Sequence, residues 1–297
     1  MPKRLIVNAD DFGRTHRVSQ GILKAHGEGI VTSTTAMMNM PGAAHDLARA
    51  ASEAPRLALG VHLVFTVGRP LLPPEWVPSL VDEHGHFLAQ DAIAQQPTRL
   101  RPDELLSEFK AQVSAFKNAT GHLPDHIDCH HFVHVHPHVF AVYHAAALEH
   151  DLPMRIPFPR TEADLADAEL MAGAASLIPA ETMKTLVREN WQRLAKQPVR
   201  APDRFIVSFY ADNVSVEYVL GVLDRLPEGV NELMTHPGFN DETLSAESSY
   251  NAMREAEIAV LADPRVKQRV AERGIELTTY AAVKREAVGA LWLEAVV

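Results

Sequence analysis

The stretch RLIVNADDFG, residues 4 to 13, decides how this chain is read. Arg4 to Asn8 forms a short apolar run of the kind buried in a parallel sheet. It ends on two aspartates, an aromatic residue and Gly13, which tolerates turn conformations closed to other residues. Behind it, Val18 to His26 carries apolar residues at helical spacing, and Val31 to Met38 reads as strand again. Strand, helix, strand in that order is the unit of a parallel α/β sheet.

The same rhythm continues to about Tyr280. Further strands are expected at Leu57 to Leu63, Asp125 to Cys129, Pro153 to Ile156, Phe205 to Tyr210, Val230 to Thr235 and Ile275 to Thr279. Helices are expected at Ala43 to Ala54, Pro102 to Asn118, Pro137 to Glu149, Glu181 to Ala195, Ser215 to Leu226 and Ser248 to Leu261. Eight strands suffice to close a barrel. Two segments break the rhythm: a long insertion at about 66–100, containing GRPLLPPEWVP, and Phe158 to Pro179, rich in alanine and acidic residues. Long excursions in a compact fold often wall a binding site.

With 297 residues and 46% hydrophobic content, the chain can bury a large core, and a single catalytic domain over 1–297 is expected. Its 28 basic and 38 acidic residues give a net charge of −10, which argues against nucleic acid as a partner. Cys129 is the only cysteine, so no intramolecular disulfide can form. The start MPKRLIVNADDFG lacks a secretory apolar core, and no apolar run approaches the ~18 residues of a membrane span. A cytoplasmic location without a membrane span is the expectation. A homodimer is compatible with the sequence, which carries no signal for oligomeric state.

Polar residues with chemistry fall where candidate strands end: Asp10 and Asp11 after RLIVNA, His62 after LALGV, His130 after HIDC, His236 after ELMT. In parallel sheets and barrels, active sites gather at the carboxyl ends of the strands. The segment HIDCHHFVHVHPH, residues 126–138, concentrates six of the sixteen histidines. In an extended backbone, His126, Asp128 and His130 would share one face. Two neutral imidazoles and one carboxylate are a usual catalytic metal set, and Asp11, His62 and His130 fit it. Asp10 is then the candidate base and His236 the candidate acid. Adjacent aspartates can serve one site only if the strand ends there, since strand neighbours point to opposite faces.

The segments VNADDFG (7–13), GIVTSTTAM (29–37), GVHLVFTVGRPL (60–71), HIDCHHFVHVHP (126–137) and MTHPGF (234–239) together resemble the YdjC-type carbohydrate deacetylases, a family that includes chitooligosaccharide deacetylases and a hopanoid-biosynthesis-associated subgroup. The resemblance runs in order through nearly the whole chain. It implies a distorted TIM-like (β/α) barrel related to polysaccharide deacetylases, and removal of an acetyl group from an N-acetylglucosamine-type carbohydrate. It also implies that Asp11, His62 and His130 hold one divalent ion, zinc or magnesium, with Asp10 as base and His236 as acid. The choice of His130 over its neighbours rests on this resemblance. Phe132 stands where relatives often carry histidine, and Cys129 where serine is frequent.

Further residues have two readings each. Trp76 could stack on a sugar ring or simply pack its loop, His134 could contact substrate or serve the loop, and Arg155 could reach substrate or pair with an acidic neighbour. His126 and Asp128 are candidates for orienting a ligand imidazole. The segment GRPLLPPEWVPSLVDEHGHF is similar to the hopanoid-associated subgroup, which makes an acetylglucosaminyl lipid the alternative substrate. From other classes, the same triad suits a non-haem iron oxygenase, and the histidine run suits a non-catalytic metal-binding protein.

Overall fold

Parallel strands curl into a distorted TIM-like barrel with helices outside it. The computed structural model describes residues 1–166 and 180–284. Its strands are β1 (Lys3–Phe12), β2 (Ser33–Ala36), β3 (Ala58–Leu63), β4 (Ile127–Cys129), β5 (Arg204–Ile206), β6 (Gly229–Thr235) and β7 (Glu276–Thr278). They run in the order β4-β3-β2-β1-β6-β5, every pairing parallel. β1 is long enough to hold three neighbours: β6 along one edge, with β7 beside Arg4–Ile6 and β2 beside Asn8–Phe12 on the other.

The expected strand at Pro153 to Ile156 is reduced to one bridge, Met154 beside Ile127. Pro153 and Pro157 have no N–H to offer a ladder. The segment is still held, because Ile127 N–H donates to Pro153 O at 2.9 Å and Arg155 N–H to Ile127 O at 3.0 Å. On its far side Met154 N–H donates to Arg200 O at 2.9 Å, which brings the ring round to the chain entering β5.

Helices α1 (His16–Glu28), α2 (Ala43–Glu53), α4 (Pro102–Thr120), α5 (Pro137–Glu149), α7 (Ala180–Lys196), α8 (Val216–Arg225) and α10 (Ala252–Ala262) match the amphipathic stretches. Thr15 caps α1 by accepting from Val18 N–H, and Ser215 caps α8 by accepting from Tyr218 N–H. The helix expected from Ser248 begins only at Ala252, where Asn251 accepts from the Ala252 amide. Short helices α3 (Gln90–Gln95), α6 (Glu162–Ala166) and α9 (Glu242–Glu247), and the longer α11 (Pro264–Glu272), were not anticipated.

The insertion at 66–100 is an anchored wall. Val77, Leu80, Phe87, Leu88 and Ile93 join the main core, and the buried Glu108 of α4 accepts from the amides of Leu71 and Leu72. Of the second excursion, residues 167–179 lie outside the described residues.

Alternation along β1 sorts its two faces. Leu5, Val7 and Ala9 pack in the main core, while Ile6 meets Val230 and Tyr280 in a separate apolar floor inside the barrel. Above that floor the interior turns polar: Asn8, Asp10, Asp128 and Glu232 are all buried there. Gly21 of α1 lets the helix touch the chain after β6, since a Cβ would sit 2.5 Å from Gly238 Cα and 2.6 Å from Phe239 N. Gly21→Ala is therefore expected to cost about 1–3 kcal/mol by overpacking, read as a lower urea midpoint. An unchanged midpoint would show that this contact is not tight.

Candidate active site

Asp10 and Asp11 both reach the barrel mouth because β1 is irregular there. Its pairing register with β2 shifts between Ala9 and Phe12, and Asp11 takes a left-handed φ of 71°. The strand therefore does not end before the pair, as expected, but bulges, and the bulge turns Asp11 toward the face that Asp10 already occupies. Aspartate is among the residues that accept this region most readily. Gly13 follows at φ 81°.

Asp11 Oδ1 lies 3.3 Å from His62 Nε2 and 3.1 Å from His130 Nδ1, and the two nitrogens are 3.1 Å apart. A tetrahedral ion with bonds of about 2.0–2.1 Å spaces its ligand atoms roughly 3.3 Å apart. Asp11 Oδ1 is buried without a well-directed hydrogen bond, although both imidazoles approach it. The triangle thus fits a divalent ion better than it fits internal hydrogen bonding. A second group, Asp10, His62 and Asp128, also brings its ligand atoms within 4.8 Å of one another. Its facing atoms are already joined to one another or to Arg155, so it is an ion-pair network.

Asp128 Oδ1 accepts from His62 Nδ1 at 2.6 Å, which leaves Nε2 facing the triangle. Thr35 Oγ1 donates to Asp128 Oδ2 at 2.9 Å. Burial works against a charged His62, yet Asp128 and Asp11 outweigh it and raise its pKa to about 10. For Asp11, burial is likewise overcome, by Arg254 and His130, and its carboxyl stays well below the usual range. His130 goes the other way, lowered by burial.

Asp10 is gripped by Arg155, whose Nη1 and Nη2 each approach a different carboxylate oxygen at 2.7 Å, while Asn8 Nδ2 donates to Oδ1 at 2.8 Å. The same guanidinium meets Asp128 at 2.9 Å and Glu232 at 2.7 Å. Burial opposes its charge, but these three carboxylates hold its pKa well above the ordinary value. Of the two readings of Arg155, pairing with acidic neighbours is the one its contacts fill.

His236 stands at the end of β6, its amide donating to Glu257 Oε2 at 2.5 Å. Its Nδ1 is buried and unpartnered. Burial lowers its pKa to about 4 against the pull of Asp10 and Asp11. Tyr210 stacks on Tyr250 at 4.1 Å, and both rings meet His236 edge-on. A cavity of about 510 Å³ opens above, and Asp10, Asp11, His62, His130 and His236 all line it. His134 and Arg155 line it too, but Trp76 does not and remains 67% exposed.

The histidine run divides into separate jobs. His126 stacks on Tyr280 at 3.7 Å and meets Asn8 Oδ1 at 3.2 Å, below the triangle. His134 Nδ1–H donates to His131 O at 2.7 Å. His131 meets Thr66 Oγ1 at 2.9 Å, His136 caps α5, and His138 Nε2–H donates to Leu100 O at 2.7 Å. Burial pushes the Cys129 thiol well up, so it is no nucleophile. Arg254, Glu232, Glu257, Asn8 and Thr35 were not anticipated. Arg254 and Glu257 lie within an ordinary charged helical pattern, NAMREAEIAV, that gives no local sign of burial.

A (β/α) barrel with a buried carboxylate and two imidazoles at the strand ends defines a candidate metal hydrolase site. The profile of the YdjC-like protein family matches residues 4–272, and the chain belongs to that family. It is 38% identical over 283 residues to the carbohydrate deacetylase of Geobacillus stearothermophilus, covering 94% of this chain and 98% of that one. The chitooligosaccharide deacetylase of Proteus mirabilis is 37% identical, with coverage of 94% and 98%. A crystal structure from Enterococcus faecalis V583, provisionally described as a cellobiose-phosphate cleavage protein, superposes with a TM-score of 0.78 at 36% identity, covering 95% of this chain and 98% of that one.

Two outcomes follow from these contacts. Asp128→Asn should weaken divalent-ion affinity about 10–100-fold by freeing His62, measured against a competing chelator; wild-type affinity would remove Asp128 from this role. Burial raises Glu257 from 4.5 to about 8, beyond what Tyr250 and the His236 amide can offset. The folded state then holds the extra proton between those values, so its contribution to stability is full at low pH and lost as pH rises through about 8. His236 contributes the opposite slope, but only between about 4 and 6.5. From pH 6.5 to 8 the melting temperature should fall in the wild type and fall less steeply in Glu257→Gln, because His62, raised from 6.5 to about 10, adds a slope of the same sign in both proteins; equal slopes would remove Glu257 from this role.

Proposed function

We propose that this protein is a carbohydrate deacetylase whose metal-dependent site hydrolyses the N-acetyl group of an N-acetylglucosamine-type carbohydrate such as a chitooligosaccharide. The observation that carries this reading is the Asp11–His62–His130 triangle, set in one cavity with an aspartate held by arginine on one side and an unpartnered imidazole on the other. The names borne by the relatives agree with it. We further take residues 1–297 as one catalytic domain, because β1 near the start and β7 near the end lie side by side.

Asp11, His62 and His130 would hold the ion, zinc or magnesium, whose chemistry is Lewis-acid activation of water and of an amide carbonyl. Asp10 accepts the proton of the attacking water. Arg155 and Asn8 orient its carboxylate. His236 donates a proton to the departing amine. Its low resting pKa leaves the ring neutral near pH 7, so the proton it passes to the amine is the one Asp10 has taken from water, and both groups return to their starting state as the C–N bond breaks. The stacked tyrosines shield one side of this ring from water.

Asp10→Asn is expected to retain divalent-ion binding and lose about 10²–10⁴ in turnover, with acetate release from N-acetylated chitooligosaccharides as the readout. His130→Ala should lose both ion and turnover. Near-normal turnover in Asp10→Asn would overturn its role as base. Acetate release under anaerobic conditions with no reductant separates this reading from an iron oxygenase built on the same triad.

A further inference from the structure

Arg254 is buried, with 4% of its side chain exposed, and sits in α10, outside every motif the sequence singles out. Its Nη2 meets Asp11 Oδ2 at 2.5 Å, the oxygen that faces away from His62 and His130. From the same guanidinium, Nη1 donates to the His236 carbonyl at 3.5 Å and Nε to the Tyr250 carbonyl at 3.0 Å. Its plane lies over the Tyr250 ring, 5.6 Å from the centroid. The backbone repeats the connection, since Gly238 N–H donates to Arg254 O at 3.2 Å.

We infer that Arg254 is a positioning residue that restricts Asp11 to one ligating oxygen and ties that ligand to the loop carrying His236. This rests on the metal-site reading above. A carboxylate with both oxygens free can rotate or bind an ion through either or both. With Oδ2 taken by a planar guanidinium whose Nε and Nη1 are held by the Tyr250 and His236 carbonyls, only Oδ1 remains for the triangle. A lysine could supply the charge but not three directed contacts from a plane. Arg254 therefore fixes Asp11 relative to the loop that carries His236.

The test uses the full chain with Zn²⁺ as the probe, titrated against a competing chelator. Arg254→Lys and Arg254→Ala should each weaken Zn²⁺ binding about 10–100-fold and lower kcat with KM near the wild-type value. Because Arg254 lines the cavity, millimolar guanidinium should restore part of both losses in Arg254→Ala and none in wild type. Wild-type Zn²⁺ affinity in both folded variants would overturn the inference. So would loss of folded protein in both, unrelieved by guanidinium, which would assign Arg254 to stability alone. Failure of the wild type itself to bind Zn²⁺ or Mg²⁺ would instead overturn the metal-site reading.

Discussion

The contact on which the rest of the site depends is Arg155 at the centre of the polar barrel interior. It joins Asp10 of β1 and Glu232 of β6, which are ladder neighbours, to Asp128 of β4, three places along the sheet from β1. Carboxylates removed from water are costly unless paired, and breaking such a buried pair typically costs about 3–5 kcal/mol. Arg155 lies on the proline-flanked segment that makes one bridge in place of a strand. Its side chain thus helps to place a piece of backbone that the sheet alone holds weakly. Through Asp128 the same guanidinium supports His62, and through Asp10 it supports the base. The polarity of the interior and the chemistry at its mouth share one counter-ion.

A second constraint is the bulge at Asp11. Holding a non-glycine residue at positive φ costs roughly 1–3 kcal/mol, and Arg254 and the two imidazoles surround the residue that bears it. Two neighbouring aspartates thereby work at one site in different environments. Asp10 faces Arg155 and Asn8, whereas Asp11 faces His62, His130 and Arg254. Conventional glycosidases instead need carboxyl groups about 5–9.5 Å apart on either side of the scissile bond. Adjacent carboxylates brought together by a bulge suit a base beside a metal ligand.

Hydrogen bonding decides which histidines remain available. His126 and His138 are committed to polar and aromatic neighbours, His136 to a helix start, and His131 to Thr66. Only His130 of the cluster presents a nitrogen to Asp11 and His62. The run therefore forms one wall of the cavity and contributes a single member to the triangle. Trp76, attractive as a sugar platform because of its residue type, lies off the cavity, while the exposed Tyr210 lines it.

Period and punctuation along the chain determined the α/β class, most helices and the strand ends at which Asp10, Asp11, His62, His130 and His236 stand. These features are local: a buried strand or an amphipathic helix must show its burial pattern in its own residues. The ordered motifs, for the same reason, were enough to place the chain in its family. Only the tertiary structure decided how Pro153 to Ile156 joins the ring, how Asp11 turns inward, and which groups stand behind the ligands. Arg155, Arg254, Glu232 and Glu257 are charged residues in patterns that read equally well as solvated surface. Each has at least one partner 21 to 243 positions away, and no local spacing carries that information.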